Sequence, residues 1–148
     1  MRNMTVTVRM LVVLAFLHFA PLSGAATPPD GNSTKIARGE YLVKHVSMCD
    51  DCHTLHDAHG APIKSKHLQG AKIIFSPIEP MPSSVWADTA PPIAGLTFLN
   101  DQEAVVFFNT GKMPDGKLAR IPMPPYRFSK SDAEALTAYL KSLPVPAK

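Results

Sequence analysis

The chain has 148 residues, 15 prolines, two cysteines and a formal net charge of +3, with 45% hydrophobic side chains. That is the length of one domain, and with no basic stripe along it a nucleic-acid partner is disfavoured. The charge is also partly a property of the first residues.

The chain opens on "MRNMTVTVRMLVVLAFLHFAPLSGA". Arg2 and Arg9 sit in an acid-free start, an apolar run follows from Met10 to Phe19, and the segment ends in Pro21 and the small residues Ser23, Gly24 and Ala25. This is the pattern of a secretory signal. The apolar run is well short of the ~20 residues a spanning helix needs, so no stable membrane anchor is expected. Residues 1–25 are therefore read as a signal peptide and 26–148 as the exported domain. Setting aside Arg2 and Arg9 leaves thirteen basic against twelve acidic residues, a nearly neutral domain. Export also places Cys49 and Cys52 where free thiols do not persist, so they end as a disulfide, metal ligands or covalent attachment points.

Next, "STKIARGEYLVKHVSMCDDCH" carries Ile36, Leu42, Val43 and Val46 at helical spacing behind a cap at Ser33 or Thr34. The spacing predicts a helix over 34–48 that delivers Cys49 at its end. Gly39 inside it costs about 1 kcal/mol relative to Ala. It is either a tolerated glycine or a point of close approach by another helix. Residues 55–97 hold six prolines and three glycines, which excludes long helices and central strands. Only "AKIIFSPI" offers a short extended piece. So long an irregular segment is reasonable where it wraps a ligand that replaces missing core. "NDQEAVVFFNTG" predicts a helix with Asn100 and Glu103 as a capping box and Gly111 as its stop. After the proline-rich "KMPDGKLARIPMPPYRF", a last helix is predicted in "SKSDAEALTAYLKSLPVP". Ser131 and Glu134 make its capping box, Leu136, Tyr139, Leu140 and Leu143 its apolar face, and Pro144 its end. No sheet is expected, and the fold class is all-α.

Cys49-Asp50-Asp51-Cys52-His53 is C-x-x-C-H, the pattern of covalent c-type haem attachment. Residues i and i+3 on a helical turn share one face about 5–6 Å apart, so two sulfurs reach two edges of one porphyrin and His53 turns to the iron. Three other readings remain. Cys49, Cys52, His56 and His59 could ligate zinc, although finger spacing is usually longer. A redox dithiol expects a βαβ setting that is lacking. A plain disulfide is the third. His56, His59, His45 and His67 read as solvated or lightly packed, and Asp50 and Asp51 as solvated charges. For a sixth iron ligand the exported domain offers Met48, Met81, Met113 and Met123. Met48 abuts the motif, Met81 lies mid-loop, and Met113 lies between a helix stop and a turn. Met123 is best placed, because Pro122, Pro124 and Pro125 stiffen its loop and lower the entropy cost of holding a thioether in place. A gap-filling core methionine is the alternative there.

The pieces "ARGEYLVKHVSMCDDCH", "APPIAGL", "FFNTGKMPDGKLARIPMPPYRF" and "ALTAYLKSLPV", in this order, resemble the monohaem class I cytochrome c family. The match is close to the small bacterial periplasmic cytochromes and to the cytochrome c subunits of membrane-linked dehydrogenases. The resemblance implies an all-α cytochrome c fold whose N- and C-terminal helices cross at Gly39, facing Tyr139 or Leu140, with long haem-wrapping loops. It implies one covalent haem c on Cys49 and Cys52, with His53 proximal and Met123 distal. Trp86 is expected at the haem edge or a propionate, or else in simple packing. Residues 60–90 match no family pattern and yield no further contact. The implied function is periplasmic one-electron transfer, as a free shuttle or as a subunit of a dehydrogenase or oxidase complex, and not catalysis by the chain itself. A haem enzyme or gas sensor with an open sixth position is the alternative.

Overall fold

The computed structural model describes residues 30–146. The expected signal peptide, residues 1–25, lies outside the described residues.

The first helix, α1, spans Gly31–Tyr41. It begins earlier than the predicted 34 because Asp30 caps it: its carboxylate accepts from Ser33 N at 2.6 Å. Ser33 and Thr34 instead return their hydroxyls to Asp30 O. The helix does not continue regularly to 48. From Leu42 to Val46 it widens into a π-helical turn, and Ser47 satisfies the freed Leu42 carbonyl with both its N–H and its hydroxyl, each at 2.8 Å. Met48 then takes a left-handed φ of 48°, which ends the helix and turns the chain into the short α2, Asp50–His53.

The segment from 55 to 97 contains one turn of 3₁₀-helix, Lys64–Lys66, and two strands of two residues each, β1 (Ala71–Lys72) and β2 (Thr89–Ala90). They pair antiparallel, Ala71 opposite Ala90 and Lys72 opposite Thr89. Gly70 permits this: at φ 86°, a Cβ there would stand 2.9 Å from Ala90 O. The chain is thus helix-rich with a small sheet, and the sheetless expectation is corrected at "AK" and "TA". The segment also supplies core as well as wrapping: Leu68 and Leu96 are fully buried, both at left-handed φ.

The third helix, α3, spans Asp101–Thr110 with the predicted Asn100–Glu103 capping box and Gly111 left-handed at its end. The last, α4, spans Lys130–Ser142. Its cap is Ser129, whose hydroxyl accepts from Asp132 N at 3.1 Å, and not Ser131. Glu134 is drawn away to Lys35, 3.5 Å across the helix pair. Leu42, Val43, Leu136 and Leu140 fill the space between α1, the π turn and α4, each contributing roughly 1.5–3 kcal/mol by leaving water. The crossing of α1 and α4 is closest at Gly39, where a Cβ would stand 2.0 Å from Ala135 O and 2.6 Å from Tyr139 Cβ. No described helix is long and apolar enough to cross a membrane.

Candidate functional site

Cys49 is the residue at which the π turn gives way to α2, in helical geometry at φ −60° and ψ −29°. Cys52 N and His53 N both turn back to Cys49 O, at 3.3 and 2.9 Å. The i, i+3 arrangement of the thiols is therefore a single helical turn, as the spacing requires. The two sulfurs are not joined in a disulfide. Ser47 Oγ lies 3.3 Å from Cys49 Sγ. Burial pushes both thiols above their ordinary value, Cys49 being buried and Cys52 half-buried.

His53 is buried, and its Nδ1 lies 2.7 Å from Pro91 O. A carbonyl only accepts, so Nδ1 carries the proton and the lone pair is left on Nε2. Burial holds the ring below its ordinary value, opposed by the Pro91 bond, so the ring is neutral near pH 7. A neutral imidazole steadied through one nitrogen by a main-chain carbonyl is what a metal ligand requires.

Cys49, Cys52, His53 and Met123 all line one cavity of about 400 Å³. Its other walls are largely apolar, among them Ile73, Phe75, Ile93, Phe98 and Phe107. Met113 and Met48 also reach it, so three of the four methionines weighed for a sixth ligand line the cavity and Met81 does not. Trp86 is not among the lining residues. It is one position from Ala87, which is, and packs edge-on against the lining Phe75 with ring centroids 5.9 Å apart.

The loop that carries Met123 is anchored at several points. Arg120 Nη1 donates to Ser83 O at 2.7 Å and Ala87 N to Ile121 O at 2.8 Å. Asn109 Nδ2 donates to Phe128 O at 2.6 Å. Tyr126, itself in the cavity wall, donates its hydroxyl to Ser47 O at 2.5 Å. That bond ties the Met123 loop to the residue two before Cys49. Burial pushes the Tyr126 hydroxyl up to about 12, so it remains a donor throughout the physiological range.

Two sequence expectations change here. Asp50 is not a solvated charge: its carboxylate meets Thr54 Oγ1 and His67 Nδ1 at 2.6 and 2.7 Å. His67 is correspondingly held between elements. His56 and His59 stand apart from the thiols, and among the described residues no group of three or more His, Cys, Asp or Glu is arranged to hold a metal ion. The zinc reading of the motif therefore has no ligand set. Pro91 and Tyr126 are site residues that the sequence does not single out, although they lie in "APPIAGL" and "FFNTGKMPDGKLARIPMPPYRF", two of the stretches that carry the family resemblance.

A paired thiol turn, a neutral imidazole and thioethers around an apolar cavity suit a large apolar cofactor with a metal at its centre. No family model matches the chain. The relatives it matches are described as cytochrome or cytochrome c subunits of dehydrogenases. The chain is similar to the alcohol dehydrogenase (quinone) cytochrome c subunit of Gluconacetobacter polyoxogenes, 29% identical over 142 residues that cover 86% of this chain and 28% of that protein. The subunit of the same description from Komagataeibacter europaeus matches with the same figures. The fructose dehydrogenase cytochrome subunit of Gluconobacter japonicus is 29% identical over 119 residues, covering 75% of this chain and 22% of that protein. The chain thus spans less than a third of the length of the curated relatives it matches.

Proposed function

We propose that this chain is a periplasmic electron-transfer protein of the monohaem class I cytochrome c kind, carrying a single covalent haem c. The observation that carries the reading is the meeting of Cys49, Cys52, His53 and Met123 on one apolar cavity, from two segments about seventy residues apart. Cys49 and Cys52 would hold the haem through thioethers, and His53 Nε2 and the Met123 thioether would ligate its iron. The haem iron supplies a reversible one-electron couple whose potential follows axial ligation, burial and neighbouring hydrogen bonds.

The chain's own residues bind, orient and exclude. Pro91 fixes the tautomer and plane of the His53 ring. The prolines around Met123 and the Tyr126 bond to Ser47 limit the motion of the loop, so the site changes little as charge comes and goes. Ile73, Phe75, Phe98 and Phe107 keep water from the centre, which favours the less charged state. Trp86, backing Phe75, belongs to the proposal as a contact at the cavity's edge. The donor and acceptor are redox proteins of the dehydrogenase or oxidase type. The relatives' description as dehydrogenase subunits supports a role within such a complex as well as a free shuttle. In either case the chain passes electrons and transforms no substrate of its own.

The ligand set is tested by the Met-to-iron charge-transfer band of the oxidised protein. Met123→Ala abolishes the band and Met113→Ala leaves it. A band that survives Met123→Ala contradicts the assignment, and a wild-type protein without the band has no methionine on the iron, as the haem enzyme or sensor alternative requires.

A further inference from the structure

Asp50 stands between the two thiols, yet its carboxylate points into a network that the electron-transfer reading leaves unused. Thr54 Oγ1 donates to Asp50 Oδ1 at 2.6 Å. His67 Nδ1 lies 2.7 Å from the same oxygen. That oxygen only accepts, so His67 presents its proton on Nδ1. On its far side His67 Nε2 lies 3.1 Å from Tyr139 Oη, within hydrogen-bond distance. Thr54 Oγ1 in turn accepts from Leu68 N at 2.8 Å. Four side chains thus run from the cysteine turn to α4, ending on the tyrosine that packs against Gly39.

The same segment grips His53. Gly70 N donates to His53 O at 2.7 Å. Leu68 O accepts from Ile93 N and Ala94 N, at 2.9 and 3.0 Å, just beyond the Pro91 carbonyl that receives His53 Nδ1. His53 is therefore held at its main chain by residue 70 and at its ring by residue 91. Those two holds are joined to each other through Leu68. His67, through Asp50, and Thr54, through Leu68 N, are the side chains that pin this junction to the cysteine turn. With side-chain exposures of 26% for His67 and 21% for Asp50, water replaces the lost partner poorly when either is removed.

We propose that His67 is a positioning residue for the cofactor site: acting through Asp50 and the 68–70 main chain, it fixes the aim of the His53 imidazole. The inference rests on the haem reading above, because an imidazole's aim matters where it ligates a metal. His67 itself touches no cofactor.

Two measurements test it on the haem-bound protein. In the wild type, ¹⁵N NMR of the histidine rings finds His67 protonated on Nδ1, with that proton slow to exchange. A ring protonated only on Nε2 overturns the inference, and this measurement stands even where a variant fails to fold. In the oxidised protein, the hyperfine shifts of the His53 ring protons move in His67→Leu and return towards wild type in His67→Asn, which keeps an N–H towards Asp50. If His67→Leu lowers only the melting temperature and leaves those shifts in place, His67 is structural and the proposal is wrong. A protein without haem is recognised from its absorbance before any variant is made; that result removes the functional reading and this inference with it, whereas unmoved shifts in a haem-bound protein remove the inference alone.

Discussion

His53 keeps its proton on Nδ1 because Pro91 O, 2.7 Å away, offers nothing but lone pairs. The consequence is a free Nε2 in a cavity that also holds two thiols. C-x-x-C-H was legible in the sequence because its geometry is local, one helical turn fixed by an i, i+3 spacing. Pro91 was not, since it acts through a carbonyl that any residue carries and lies thirty-eight positions away. The same reason hid the Asp50–His67 pair, whose members are seventeen apart. Tyr126 belongs to this scale too. Its hydroxyl is the only part of the side chain that Tyr126→Phe removes, so the variant isolates the bond to Ser47 O. One such hydrogen bond is worth about 1 kcal/mol. Denaturant titration of Tyr126→Phe shows a loss of that order, and hydrogen exchange quickens in residues 120–128 while α1 and α4 are unchanged.

The helices show where local signals decide and where tertiary partners overrule them. Asn100 and Glu103 cap each other within one turn, and α3 begins where the sequence predicts. At α4 the sequence points to Ser131 with Glu134, whereas the structure caps the helix with Ser129, whose hydroxyl accepts from Asp132 N. Glu134 turns instead to Lys35, while Asp132 serves both Ser129 and Arg38. No local pattern contains that information. Gly39 is likewise ambiguous from sequence and unambiguous in place: its missing Cβ is the room for the Ala135 carbonyl. Backbone there cannot yield as a side chain tip would, so Gly39→Val costs about 3 kcal/mol or more by overpacking. Thermal melts of the haem-bound variant check this, with the larger loss in Val than in Ala. Arg38 donates to Asp132 at 2.9 Å beside the same crossing and holds that carboxyl below its ordinary value. A carboxyl depressed in the folded state stabilises above its unfolded value and ceases to do so as pH falls through the folded one. Asp132→Asn therefore flattens the fall of melting temperature below about pH 4 and has less effect in high salt, where the exposed pair is screened.

Across the whole molecule, the chain divides its apolar residues between two tasks. Leu42, Leu68, Leu96, Leu136 and Leu140 are fully buried in the core. Phe75, Phe98 and Met48 line the cavity and remain 51%, 49% and 56% exposed, a surface that a cofactor would cover. On the proposed reading, residues 55–97 are long and proline-rich because part of what they pack against would be the cofactor and not polypeptide. A group that binds the folded chain and not the unfolded one also stabilises it, so the cofactor-free protein melts below the loaded one. The account turns on one covalently held haem, and the mass of the intact protein, exported from a host that attaches c-type haem and measured under denaturing conditions, tests it most directly. The predicted mass is that of the processed chain plus one haem, with Cys49→Ala and Cys52→Ala together abolishing the increment. A mass equal to the bare polypeptide would contradict the account.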